Sequence, residues 1–111
     1  MDSMTHDEVL DAIRMTGERY AEAVTHEMML EGQRPAIKQN AVLRLMQTTN
    51  PETNKLHSGS SAEKVVELDH EYADYRAIQR NAVGERIRAE TEFEVAKTRG
   101  RLAAGLSAVL S

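Results

Sequence analysis

A chain of 111 residues with a net charge of −4 has the length of one domain and lacks the basic excess of a dedicated nucleic-acid binder. It contains no cysteine, which excludes disulfides and thiolate metal sites. Only 4% of it is aromatic (Tyr20, Tyr72, Tyr75 and Phe93, without Trp), too little for a thick core, so plentiful Ala, Met, Leu and Val point to thin contacts between helices.

Thr5-His6-Asp7-Glu8 opens the first helix. Thr5 can cap its N-terminus while Glu8, three residues on, completes a capping box. Asp7, Glu8 and Asp11 then sit where the helix dipole favours negative charge. Leu10, Ile13, Tyr20, Val24 and Met28 follow at steps of three, four and seven and define an apolar stripe. Gly32 and Pro35 interrupt it. Proline has no N–H to donate and crowds the carbonyl four residues back, so a kink is expected near 32–35. Ile37, Ala41, Val42, Leu45 and Met46 resume the pattern, and the spacing predicts helix over 6–48, one kinked element in preference to two separate helices.

Residues 48–55 have turn chemistry throughout, and Asn50-Pro51 with Ser58, Gly59, Ser60 and Ser61 predicts a polar loop over 49–60. Ser60 followed by Glu63 reads as a second capping box, opening a helical stretch over 61–111 that starts with Val65, Val66 and Leu68. Asp69 either caps a new helix or lies inside a continuous one.

The last stretch carries the clearest periodicity. Leu68, Tyr75, Ala82, Ala89, Ala96, Ala103 and Leu110 recur every seven residues, with Tyr72, Phe93 and Gly100 four residues beyond members of the series. Such a repeat is what a left-handed helix pair requires, and its small residues let two backbones approach closely. Gln79, Glu85, Arg86 and Glu92 dilute the second seam position. The expected fold is therefore all-α, a single domain built as a long antiparallel helical hairpin. Val83, Ile87, Val95, Leu102 and Val109 fall off the seam and need a partner of their own, so the hairpin is expected to be completed by homo-oligomerisation.

Signatures of chemistry are sparse. Glu67 and His70 have the Glu-x-x-His spacing of carboxylate-bridged dimetal bundles, but those sites need a second such pair, and Glu22 with His26 does not supply it. The histidines are scattered, the serines of the loop serve turns and caps, and the glycines are isolated rather than grouped as a phosphate loop. No metal, cofactor, small-molecule substrate or enzymatic activity is expected. Met1 to Met4 lacks the regions of a signal peptide, and Leu102 to Leu110 is too short to span a membrane, so a soluble cytoplasmic protein is expected.

Net charge alternates along the chain: −6 over 1–31, +3 over 32–50, −4 over 51–75 and +3 over 76–111. Antiparallel pairing would set acidic stretches against basic ones. A hairpin closing near the loop would also gather Arg34, Lys38, Arg44 and Lys55 with Arg76, Arg80, Arg86 and Arg88 into a basic surface able to follow a phosphate backbone.

One arrangement of residues extends this reading. A long helix, a polar loop, the stretch Ser-Ser-Ala-Glu-Lys-Val-Val-Glu-Leu-Asp-His-Glu-Tyr over 60–72 and Arg-Ile-Arg-Ala-Glu over 86–90 resemble small tailed-phage helical accessory proteins of the recombination-mediator type, over residues 20–105. The resemblance implies an oligomeric protein of phage-infected bacterial cells, active in DNA recombination or replication. It would bind single-stranded DNA weakly or dock on a DNA-binding protein. The alternative expectation is a protein-binding module free of nucleic acid, such as a phage inhibitor of a host defence complex. There the acidic segments 7–31 and 63–74 would engage a basic partner.

Overall fold

The computed structural model describes residues 5–110, with side chains described through Gly105. The seam residue Leu110, with Leu106 and Val109, therefore has its side chain outside the described residues. The element order is α1 (His6–Leu45), a two-strand ribbon of β1 (Thr49–Asn50) and β2 (Lys55–Leu56), α2 (Gly59–Lys64), a 3₁₀ turn (Val66–Leu68) and α3 (His70–Leu110). The fold is all-α, a helical hairpin.

α1 begins as the sequence predicts. The Glu8 N–H donates to Thr5 Oγ1 at 3.2 Å while the Thr5 N–H donates to Glu8 Oε2 at 3.3 Å, a reciprocal capping box. The helix then runs through Gly32 and Pro35 to Leu45. Pro35 leaves the Glu31 carbonyl without its usual donor. Two side chains of α3 hold the turn around that gap. The Tyr75 hydroxyl donates to the Leu30 carbonyl, and Arg34 Nε donates to the Tyr72 hydroxyl at 3.3 Å.

The connection is more ordered than a polar loop. Thr49 pairs with Leu56 and Asn50 with Lys55 in an antiparallel ribbon. Its tight turn uses Asn54 at φ 59°, a conformation that asparagine tolerates better than most residues. Asn50 Oδ1 accepts the Glu52 N–H, and Asn50 Nδ2 donates to Ser61 Oγ at 3.1 Å, which ties the ribbon to α2. Ser58, rather than Ser60, caps α2: its Oγ accepts the Ser61 N–H at 3.2 Å.

Helical structure over 61–111 is broken at Asp69. Its backbone is extended (φ −69°, ψ 124°), and its Oδ2 accepts the Tyr72 N–H at 2.9 Å, so Asp69 caps a new helix. This corrects the start of the seam. Leu68 lies in the preceding 3₁₀ turn, where the seven-residue phase does not reach it, and is 76% exposed.

Packing divides the chain into two compact units, residues 28–81 (the loop unit) and residues 1–27 with 82–111 (the terminal unit). In the loop unit Leu30, Ala41, Val42, Ala62, Val66, Tyr72, Tyr75 and Gln79 are buried, Tyr72 completely. In the terminal unit Val9, Ala82 and Ala96 are buried and Ile13, Tyr20, Ala89 and Phe93 are half-buried. The helices there approach closely and antiparallel. A Cβ on Gly100 would meet Ile13 Cδ1 at 2.8 Å, and one on Gly17 would meet the Phe93 ring at 3.1 Å. Ala103, a turn beyond Gly100, is exposed, so among the described residues the close approach does not extend to it.

The face that α1 presents also differs from the expected stripe. Leu10 and Met28 are exposed, whereas Val9, Ile13, Thr16, Gly17 and Tyr20 turn inward. Thr16 fits this face because its hydroxyl donates to the Ala12 carbonyl at 2.6 Å and brings no unsatisfied group. Ile13, Tyr20 and Val24 of the expected stripe do lie on the inward side, but small and hydroxylated residues carry little hydrophobic signal, so Leu10 and Met28 stand in the stripe where Thr16 and Gly17 belong.

Candidate functional site

The basic residues that the sequence groups as a nucleic-acid surface divide between the two units, and each group is accounted for separately. In the loop unit Arg44 forms a forked contact with Asp69 (Nη2–Oδ2 2.7 Å, Nε–Oδ1 3.3 Å) and reaches Glu71 at 3.1 Å. Arg34 is held by the Tyr72 hydroxyl and lies 3.9 Å from Glu31. Lys38 lies 4.0 Å from Glu63. Arg76 donates to Gln79 Oε1 at 2.6 Å, and Gln79 in turn donates to Glu31. Among the described residues, Lys55 and Arg80 take part in no ion pair.

In the terminal unit Arg86 Nε contacts Glu27 Oε2 at 2.8 Å and Nη1 contacts Glu90 at 3.4 Å. Arg88 lies 4.0 Å from Glu85 on its own helix. Arg86 and Glu27 are both largely covered, and a forked, partly buried pair of this kind fixes helix register because either partner alone would be a poorly solvated charge. Most of these bases therefore act as ties within or between helices.

Protonation follows from the contacts. The Arg44 guanidinium holds the Asp69 carboxyl below the usual carboxylate range, assisted by the Tyr72 N–H. Hydrogen bonds to Asp69, Glu27 and Tyr72 keep Arg44, Arg86 and Arg34 firmly charged. Burial pushes the Tyr75 phenol up, which keeps it a donor to the Leu30 carbonyl.

Charge is unevenly shared. Residues 28–81 hold seven basic and seven acidic residues, whereas 1–27 with 82–111 hold seven basic and eleven acidic. The loop unit is thus neutral and the terminal unit carries the whole excess. Asp7, Glu8, Asp11, Glu18 and Glu22 are all exposed on α1, where Arg14 pairs with Asp11 and Glu18 and the exposed Arg19 forms no ion pair among the described residues.

The terminal unit also has a groove between its two helices, lined by Val9, Ala12, Thr16, Arg19, Thr91, Val95 and Arg99. Its hydroxyls are engaged by backbone, Thr16 with Ala12 and Thr91 with Ile87 at 3.0 Å, and Glu92 also lines it. Among the described residues no three His, Asp or Glu side chains converge as a metal site, and no helix is long and apolar enough to cross a membrane.

No protein-family model, curated protein or solved structure matches this chain. The reading of function accordingly rests on the geometry above.

The bases stand out in the sequence, whereas their partners Asp69 and Glu27 do not. Gln79 and Arg86 look like dilution of the seam, although both belong to it. The signal that was present is their spacing: Gln79 and Arg86 lie seven apart on α3 and continue the series Tyr72, Phe93 and Gly100.

Proposed function

We propose that this protein is a non-enzymatic binding module that engages a positively charged surface of another protein through the acidic α1 stretch of its terminal unit. The observation that carries the reading is the location of uncompensated charge. Over residues 6–27 α1 carries six acids (Asp7, Glu8, Asp11, Glu18, Glu22 and Glu27) against two bases, Arg14 and Arg19, and Asp7, Glu8 and Glu22 are exposed and form no ion pair among the described residues. Both acidic segments expected to serve a partner are partly engaged by bases, 63–74 through Glu63, Asp69 and Glu71 and 7–31 through Asp11, Glu18, Glu27 and Glu31, but the first lies mostly in the unit that carries the net negative charge and is taken as the working surface. A partner lined with Lys or Arg would gain steering and specificity from it. An inhibitor that a phage directs against a host defence complex is one role of this type.

Weak binding of single-stranded DNA in recombination or replication, the role implied by the phage resemblance, is the second reading. Exposed Lys55, Lys64 and Arg80 favour it, but three bases on a neutral unit release few counterions and give little affinity.

Fluorescence polarisation separates the two. A labelled Lys/Arg-rich peptide is expected to bind with an affinity that falls as salt rises, and to lose binding to the variant Glu18→Gln with Glu22→Gln. The control Glu63→Gln with Glu67→Gln should bind as before. A peptide that binds both variants equally, or neither variant nor wild type, overturns the reading.

A further inference from the structure

α3 of the terminal unit presents a second face, beginning at the groove edge with Thr91 and Val95, that no described residue covers. Ile87, Val95 and Leu102 are 50, 45 and 64% exposed. With Gly84, Thr91 and Thr98 they fall within an arc of about 80° on the helix, at 100° per residue. That arc points away from Ala82, Ala89 and Ala96, and it contains no charged residue between positions 84 and 105. A Cβ on Gly84 would meet nothing within 4 Å, so the backbone itself is open to close approach.

The charges beside this arc are ordered. Glu90, Glu92 and Glu94 are followed by Lys97, Arg99 and Arg101. Glu94 and Arg101 flank one edge of the arc, Glu92 and Arg99 the other. In a second copy laid antiparallel across a two-fold axis near residues 96 and 97, equal edges meet. Glu92 then faces Arg99 of the second copy and Glu94 faces its Arg101, while Thr91 meets Leu102 and Val95 meets Thr98. A parallel pair would instead oppose like charges. Among the described residues Glu92, Arg99 and Arg101 form no ion pair within the chain, although Glu94 does contact Lys97 at 2.6 Å.

We propose that this face of α3 is a self-association surface whose occupant is a second copy of the chain, packed antiparallel through Ile87, Val95 and Leu102. The proposal goes beyond the partner read for α1 and does not depend on it.

Sedimentation equilibrium over a range of concentrations tests it. The wild type is expected to form a dimer as concentration rises, and Val95→Glu, at an exposed position, to stay monomeric with unchanged helical circular dichroism. Glu92→Lys with Glu94→Lys should lose the dimer, as should Arg99→Glu with Arg101→Glu, while an equimolar mixture of those two variants should restore a one-to-one dimer. A wild type that is monomeric at every concentration overturns the proposal, as does a dimer indifferent to Val95→Glu or a mixture that fails to associate. None of these results bears on peptide binding by α1, so the two readings fail separately.

Discussion

Asp69 serves two elements at once. Its carboxylate caps α3 through the Tyr72 N–H and forks with Arg44 of α1, and its side chain is only 12% exposed. Replacing it by Ala removes an N-cap contact worth about 1 kcal/mol, together with the tie to Arg44. We expect Asp69→Ala to lower the urea midpoint by correspondingly more than the loss of the exposed cap residue Ser58. The acid dependence has a definite sign. Because Arg44 depresses the Asp69 pKa in the folded state, the contribution is present above the ordinary carboxylate value, about 4, and is lost as pH falls through the lowered folded value. Urea melts at neutral and acidic pH should show a smaller acid loss for Asp69→Asn than for wild type. An equal loss would remove Asp69 as the source. Tyr75 makes a similar point. Its hydroxyl is buried against the Leu30 carbonyl, one residue before the gap that Pro35 creates, so Tyr75→Phe should cost about 1 kcal/mol in the same assay.

At the scale of elements, the two glycines of α1 predict opposite outcomes for one substitution. Gly32 has nothing within 4 Å of a new Cβ, so Gly32→Ala should stabilise by about 1 kcal/mol through helix propensity alone. Gly17 faces the Phe93 ring at 3.1 Å, and that ring is held between Tyr20 and Lys97, whose Nζ lies 4.5 Å from its centroid. Gly17→Ala must displace the ring and should return less than Gly32→Ala, or a net loss. Equal gains by thermal melting would contradict the close approach. The sequence made the start of α1 legible because a capping box is local, and it made Tyr75, Ala82 and Ala96 legible because a seven-residue repeat survives at any register. It revealed the inward face of α1 only in part, through Ile13, Tyr20 and Val24, since Thr16 and Gly17 do not look like core. Nor did it distinguish Ser58 from Ser60 as the cap of α2, because both precede a plausible first turn.

Across the whole molecule, charge decides the reading of function. Alternating acidic and basic stretches were visible in the chain, and so were the individual bases. Their pairing was not, because Arg86 meets Glu27 and Arg44 meets Asp69 across separations of 59 and 25 residues that only the helix register brings together. Once paired, these bases stop being a free surface, and the local excess of acid lies on α1 of the terminal unit, where six acids stand against Arg14 and Arg19 over residues 6–27. The most direct test is the polarisation of a labelled single-stranded oligonucleotide titrated with the full chain at low salt, where phosphate binding is strongest. The account predicts no binding at concentrations that saturate the Lys/Arg-rich peptide. Binding to the oligonucleotide that weakens steeply with salt, and is abolished by Arg80→Glu with Lys55→Glu, would contradict it.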